Sequence, residues 1–125
     1  MASKKVLYID DDLEMLGLMR LILESRGFQA LTAGGGNDGL ALIRQEHPDL
    51  ILLDLMMPDL DGWQVYSQVR HNQQSKNIPI ILITAVADNI DLLTKRDFPD
   101  IVAYFTKPFE TAKLVKTIKR ALEIH

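Results

Sequence analysis

Short apolar runs alternate with amphipathic helical patterns along the 125-residue sequence, and this alternation constrains the fold more than any other feature. Five runs have the length of a buried strand. They lie at residues 6–9, 28–32, 50–53, 80–84 and 101–105. The runs are almost continuously apolar, as expected for strands of a parallel sheet that is covered by helices on both faces.

Helical periodicity fills the intervals between the runs. The clearest pattern lies at residues 15–23, where apolar side chains repeat every three or four positions and Gly27 follows as a stop. Four further helices are predicted at residues 36–46, 61–71, 87–96 and 114–122. Strand and helix thus alternate without a Pro-, Gly- or Ser-rich linker. The pattern predicts one α/β domain over residues 1–125, a doubly wound (βα)5 sandwich around a five-stranded parallel sheet.

Size, charge and cysteine content exclude several classes of protein. Folding of a 14.1 kDa chain buries roughly two-thirds of its unfolded surface, which suffices for a core without disulfides or a structural metal. A net charge of −3 gives no general attraction to nucleic acid or to an anionic membrane. The absence of cysteine excludes a thiol nucleophile and a Cys-rich zinc site. The apolar run near the N-terminus is too short for a signal peptide or a membrane span, so we expect a cytoplasmic protein.

Acidic and polar side chains follow the predicted strands at their carboxyl ends. Asp10 and Asp11 follow the first strand, Asp54 follows the third, Thr84 ends the fourth, and Lys107 comes after the fifth. In a doubly wound sheet the ligand site lies outside the carboxyl ends of the strands, so these side chains should converge. Carboxylates that share a small site repel one another unless a proton or a cation lies between them. Because the donors are oxygens, we expect Mg2+ rather than zinc.

A carboxylate beside such a cation can act as a nucleophile toward phosphorus and form an aspartyl phosphate. Asp54 is the candidate nucleophile. The charge of a phosphoryl group on Asp54 would be balanced by Mg2+ on one side and by the Lys107 ammonium and the Thr84 hydroxyl on the other.

Three segments of the sequence resemble receiver domains of two-component response regulators. Residues 6–11, Val-Leu-Tyr-Ile-Asp-Asp, are similar to the family's first strand with its paired acids. Residues 52–58, Leu-Leu-Asp-Leu-Met-Met-Pro, are similar to its phosphoacceptor segment, and residues 104–109, Tyr-Phe-Thr-Lys-Pro-Phe, to its lysine segment. The resemblance covers essentially the whole chain and implies a flavodoxin-like fold, as in a single-domain, chemotaxis-type regulator.

The resemblance implies a metal site and a phosphoacceptor. Asp11 would ligate Mg2+ directly, and Asp10 would belong to the same acidic site. Asp54 would ligate the metal and accept the phosphoryl group, and the backbone carbonyl of Met56 would be a third protein ligand.

The resemblance also implies which residues respond to phosphorylation. Lys107 would grip the phosphoryl oxygens, Thr84 would be the switching hydroxyl, and Tyr104 would be the aromatic side chain that changes rotamer. The peptide bond between Lys107 and Pro108 would be cis.

The implied function is a phosphoacceptor switch of a phosphorelay rather than an enzyme. A histidine kinase or a His-phosphotransfer protein would phosphorylate Asp54 in a Mg2+-dependent reaction. Phosphorylation would change partner binding, either to a separate target protein or to a second copy in a homodimer. We expect no effector domain in the chain, and no direct nucleic-acid or membrane partner. In this family the positions of Met56 and Val86 flank the phosphoryl group. Neither side chain offers a carboxylate or an amide to orient a water molecule, so the resemblance implies slow self-dephosphorylation.

A glycine-rich segment keeps a second hypothesis open. Gly34, Gly36 and Gly39 satisfy the G-x-G-x-x-G pattern of a dinucleotide-binding α/β module. Two features count against this hypothesis. The motif follows the second predicted strand rather than the first, and the acid about twenty residues further on is Asp54, which already belongs to the acidic cluster.

Three more expectations concern local structure. Asp12 should cap the first helix rather than bind a metal. Residues 59–62, Asp-Leu-Asp-Gly, should form a turn rather than a calcium loop. Residues 97–103 depart from the Gly-Ala turn that is common in receiver domains, so the structure of this segment is not predicted.

Overall fold

Five parallel strands form one sheet in the order β2-β1-β3-β4-β5. The computed structural model describes residues 3–85 and 98–123. The strands are β1 (Lys5–Ile9), β2 (Gln29–Ala33), β3 (Leu50–Leu53), β4 (Ile80–Thr84) and β5 (Ala103–Thr106). The strand order reverses between β1 and β3, so the carboxyl ends of these two strands flank the switch point where doubly wound sheets bind ligands.

Four helices are described, and they cover both faces of the sheet. They are α1 (Leu13–Ser25), α2 (Gly36–Glu46), α3 (Gly62–His71) and α4 (Thr111–Ala121). Apolar side chains of α1 and α4 pack with Val6 and Tyr8 on one face, and those of α2 and α3 pack with Leu7 and Ile9 on the other. This two-sided burial confirms the predicted parallel sheet. Among these four helices none is long and apolar enough to cross a membrane.

Most predicted boundaries agree with the structure, and the starts of β5 and of the last helix differ. The strand was expected at residues 101–105 but begins at Ala103. Ile101 belongs instead to a turn, in which its N–H points to the carbonyl of Phe98 at 3.5 Å. The last helix begins at Thr111, before the predicted residue 114. The predicted helix at 87–96 and the position of Val86 lie outside the described residues.

Aspartate side chains cap two of the helices. The Asp12 carboxylate accepts hydrogen bonds from the N–H groups of Glu14 and Met15, which confirms its expected role at the start of α1. Asp61 and Gln64 form a capping box at the start of α3. In segment 59–62, Asp61 is therefore a helix cap.

A polar tether holds the segment before β5 against α3. The Asp100 carboxylate accepts hydrogen bonds from the Tyr66 hydroxyl and from Arg70 Nε, the latter at 2.8 Å. Phe98 is buried and meets the Tyr66 ring edge-on at 5.0 Å between centroids. Arg70 also donates to the carbonyl of Ile78 at 2.8 Å, just before β4. The described part of the unusual 97–103 segment is thus fixed by contacts with α3.

Candidate functional site

Asp10 lies at the carboxyl end of β1 and is fully buried. Its Oδ2 atom accepts hydrogen bonds from the Tyr8 hydroxyl and from Lys107 Nζ, the latter at 2.7 Å, and its Oδ1 atom accepts from the Asp12 N–H at 3.0 Å. Burial favours the neutral acid, but the hydrogen bonds from Lys107 and Tyr8 outweigh this effect and lower the pKa of Asp10. Asp10 is therefore a buried, charged carboxylate with several donors around it.

Asp54 lies at the carboxyl end of β3, beside the end of β1. Its backbone N–H donates to the carbonyl of Ile9 at 3.0 Å, which joins the two strand ends. Its carboxylate accepts from the Met56 N–H at 3.1 Å and from Lys107 Nζ at 3.3 Å. Burial and the nearby charge of Asp10 raise the pKa of Asp54 to about 6, although the Met56 hydrogen bond acts in the opposite direction. A positive charge beside Asp54 would favour its ionised form.

Lys107 supplies positive charge from the strand at the other side of the site. It follows β5, and its backbone N–H donates to the carbonyl of Thr84 at 2.8 Å. Burial disfavours its ammonium, but Asp10 and Asp54 outweigh this effect and raise the pKa of Lys107. The peptide bond between Lys107 and Pro108 is cis, as the resemblance implied.

Three carboxylates meet at the switch point. Asp10, Asp11 and Asp54 each offer an oxygen, and these oxygens lie within 4.8 Å of one another. Asp11 is exposed, while the other two are buried. Since the lysine neutralises one of three negative charges, the cluster keeps an excess of negative charge that a divalent cation could balance.

The two residues of the predicted switch lie on the neighbouring strands β4 and β5. Thr84 is fully buried at the end of β4. Tyr104 is partly buried on β5, in register with Leu82, and packs against the core on the α2 and α3 side. The side chain of Met56 is largely exposed, and its backbone lies next to the Asp54 carboxylate.

The sequence analysis missed Tyr8 as a member of the site. Its ring is fully buried, and its hydroxyl donates to the Asp10 carboxylate. Burial and the Asp10 hydrogen bond raise the pKa of Tyr8, so the phenol stays protonated and remains a donor. Two signals could have revealed this contact: residues two apart on a strand share a face, and a buried tyrosine hydroxyl needs a partner.

The glycine motif has a different structural explanation from dinucleotide binding. At the start of α2, the Asp59 carboxylate accepts hydrogen bonds from the N–H groups of Gly36 and Asn37, both at 3.1 Å. A Cβ atom at Gly36 would lie 2.5 Å from Leu60 Cβ, and one at Gly39 would lie 2.5 Å from the Ile9 side chain. The helix N-terminus that would hold a pyrophosphate therefore already holds a carboxylate. This arrangement argues against the dinucleotide hypothesis.

Comparisons with known proteins find relatives of this chain both in sequence and in structure. The chain is 34% identical over 120 residues to a probable transcriptional regulator, ycf27, of Cyanophora paradoxa, which covers 96% of this chain and 48% of that protein. It therefore spans about half the length of this curated relative.

Solved structures give the same result. A putative response regulator from Chloroflexus aurantiacus is 29% identical, with a TM-score of 0.88 over 98% of this chain and 99% of that one. The chemotaxis protein CheY4 of Vibrio cholerae is 28% identical, with a TM-score of 0.85 over 96% and 99% of the two chains. Residues 6–119 match the family described as the response regulator receiver domain. The chain therefore belongs to the receiver domain family of two-component response regulators.

Proposed function

We propose that this protein is a phosphoacceptor switch in which Asp54 receives a phosphoryl group from a histidine kinase or a His-phosphotransfer protein. One observation carries the proposal: the Lys107 ammonium lies between the buried Asp10 and Asp54 carboxylates, 2.7 and 3.3 Å from them. This arrangement supplies a nucleophile and a cation that can stabilise negative charge on the incoming group.

The transfer is a displacement at phosphorus. A carboxylate oxygen of Asp54 forms a bond to phosphorus while the phosphorus–nitrogen bond of the donor phosphohistidine breaks. The electron pair of the broken bond stays on the imidazole nitrogen, which takes up a proton from solvent. Lys107 Nζ already contacts the Asp54 carboxylate, so it can shift its hydrogen bond from that carboxylate to the new phosphoryl oxygens.

The donor set of the cluster fits Mg2+, which favours a few carboxylates completed by water and phosphate oxygens. We propose Asp11, Asp54 and the Met56 carbonyl as its protein ligands, with Asp10 in the same acidic site. When bound, Mg2+ supplies positive charge that offsets the negative charge of the phosphoryl oxygens.

Phosphorylation would alter partner binding rather than drive turnover. The added charge of about −1.5 to −2 would draw Thr84 and Lys107 toward Asp54. Movement of Thr84 would leave room for Tyr104 to change rotamer on β5. The partner is a separate target protein or a second phosphorylated copy of the chain, and self-dephosphorylation is slow because Met56 has no group to orient water.

The test is the intact mass of the protein after incubation with Mg2+ and acetyl phosphate. We expect one phosphoryl addition in the wild type and in Asp12→Asn, whose carboxylate caps α1 outside the cluster. We expect none in Asp54→Asn or in the presence of a chelator.

An addition that persists in Asp54→Asn or without Mg2+ would contradict the proposal. Absence of both the phosphoryl addition and Mg2+ binding, the latter measured by isothermal titration calorimetry, would reject it. Dinucleotide binding at residues 34–39 would then be tested.

A further inference from the structure

We propose that Tyr8 is a positioning residue for phosphoryl transfer, which acts by controlling how Asp10 and Asp54 share Lys107. This inference rests on the proposed function, because it concerns the same site. Tyr8 contributes no atom to the reacting groups. Its hydroxyl acts on them through the carboxylate of Asp10.

The contact is built into β1. Tyr8 and Asp10 are two residues apart on the strand, so their side chains leave the sheet on the same face. Both residues are fully buried, and the tyrosine ring lies in the core formed with α1 and α4. A buried hydroxyl without a partner would be strongly unfavourable, so the donation from Tyr8 to Asp10 Oδ2 fixes the orientation of that carboxylate.

Hydrogen-bond donors already occupy the acceptor positions of Asp10 Oδ2. A carboxylate oxygen has about two acceptor positions, and Oδ2 already accepts from the Tyr8 hydroxyl and from Lys107 Nζ at 2.7 Å. Oδ1 accepts from the Asp12 N–H at 3.0 Å. Tyr8 therefore offsets part of the negative charge that would otherwise attract Lys107 and any bound cation.

Lys107 is shared unequally between the two carboxylates. Its Nζ atom is 2.7 Å from Asp10 and 3.3 Å from Asp54. To stabilise a phosphoryl group on Asp54, Lys107 must weaken its contact with Asp10. By donating to the same oxygen, Tyr8 loosens that contact and keeps Lys107 available.

Tyr8→Phe should have two effects, slower phosphorylation and tighter Mg2+ binding. Without the hydroxyl, Asp10 holds Lys107 more tightly, so phosphorylation at saturating Mg2+ should slow by about tenfold, a typical size for loss of a group that orients a site residue. The less neutralised carboxylate also attracts cations more strongly, so the Mg2+ dissociation constant should fall by about threefold.

The experiment measures both quantities in the full chain. Mg2+ affinity is obtained by isothermal titration calorimetry, and the phosphorylation rate from intact mass with acetyl phosphate. Tyr66→Phe is the matched control, because it removes a similar tyrosine–aspartate hydrogen bond at Asp100, away from the cluster. We expect tighter Mg2+ binding with slower phosphorylation in Tyr8→Phe, and no change in either quantity in Tyr66→Phe.

A double-mutant cycle with Asp10→Asn tests whether Tyr8 acts through Asp10. In that background Tyr8→Phe should not alter Mg2+ affinity, because the charge that Tyr8 offsets is gone. An equal effect of Tyr8→Phe in both backgrounds would overturn the proposal. So would wild-type values in Tyr8→Phe, or equal slowing in Tyr8→Phe and Tyr66→Phe.

Two further results keep the inference testable and separate from the proposed function. If Tyr8→Phe does not fold, 19F spectra of protein containing 3-fluorotyrosine test the contact directly. The Tyr8 resonance should then shift in Asp10→Asn, and an unchanged resonance would overturn the inference.

If the wild type itself takes up no phosphoryl group, the proposed function fails. If the wild type is phosphorylated and Tyr8→Phe behaves identically, only the role of Tyr8 fails.

Discussion

At the scale of single residues, the space around a glycine decides whether a larger side chain can be accommodated there. Gly36 begins α2 against the loop that follows β3, and an added Cβ would lie 2.5 Å from Leu60 Cβ and 3.1 Å from the Leu60 carbonyl oxygen. These are not flexible side-chain ends, so neither can move away easily. Gly17 lies in the middle of α1, and nothing lies within 4 Å of an added Cβ atom there.

Substitution of these two glycines by alanine should therefore have opposite effects on stability. Gly36→Ala should lower the free energy of unfolding by about 1–3 kcal/mol, because the methyl group overpacks a close contact. Gly17→Ala should raise it by about 0.5–1 kcal/mol, because alanine restricts the unfolded chain and favours an exposed helix. Urea unfolding of both variants measures the difference. Stabilisation by Gly36→Ala would show that the α2–loop contact is loose.

At the scale of secondary structure, aspartates organise the helix ends that surround the site. Asp12 and Asp61 are the N-cap residues that immediately precede α1 and α3 in the sequence. Asp59 instead reaches α2 from the loop between β3 and α3, and it holds that loop against the start of another helix. The loop that follows Asp54 is thus held at the starts of two helices, α2 and α3.

The contribution of Asp59 should depend on pH in a defined direction. Hydrogen bonds from the N–H groups of Asn37, Leu60 and Gly36 lower the pKa of Asp59 in the folded chain. A lowered folded-state pKa adds stability above the unfolded-state pKa, and this stability is lost as the pH falls through the folded-state value. Because the Asp59 carboxylate is exposed, solvent screens part of this effect, so Asp59→Ala should cost only about 0.5 kcal/mol at neutral pH and less in acid.

Urea unfolding at neutral and acidic pH tests this prediction. Asp59→Asn, which keeps a neutral acceptor, should lie between Asp59→Ala and the wild type at neutral pH. An equal loss in Asp59→Ala at both pH values would contradict a charge-dependent contact.

At the scale of the whole molecule, parallel topology explains why the site could be predicted from sequence in large part. Once the apolar runs predict a doubly wound sheet, Asp10, Asp54 and Lys107 must lie at one edge, although 97 positions separate the first from the last. The tether of Asp100 to Tyr66 and Arg70 was not predictable, because periodicity does not specify which polar groups meet across the fold. The same holds for Asp59 at the start of α2. The late start of β5 follows from the turn of Phe98 and Ile101, which an apolar run does not distinguish from strand.

The acidic edge should couple cation binding to the stability of the entire domain. Folding brings three carboxylates together, so a cation that binds the folded chain preferentially stabilises it by the linkage relation. At ten times the dissociation constant, Mg2+ should raise the free energy of unfolding by about 1.4 kcal/mol. Urea unfolding with Mg2+ and with a chelator measures this change. Asp11→Asn should abolish most of it, whereas Asp12→Asn should retain it, because the Asp12 carboxylate caps α1. An equal Mg2+ effect in both variants would place the cation outside this cluster.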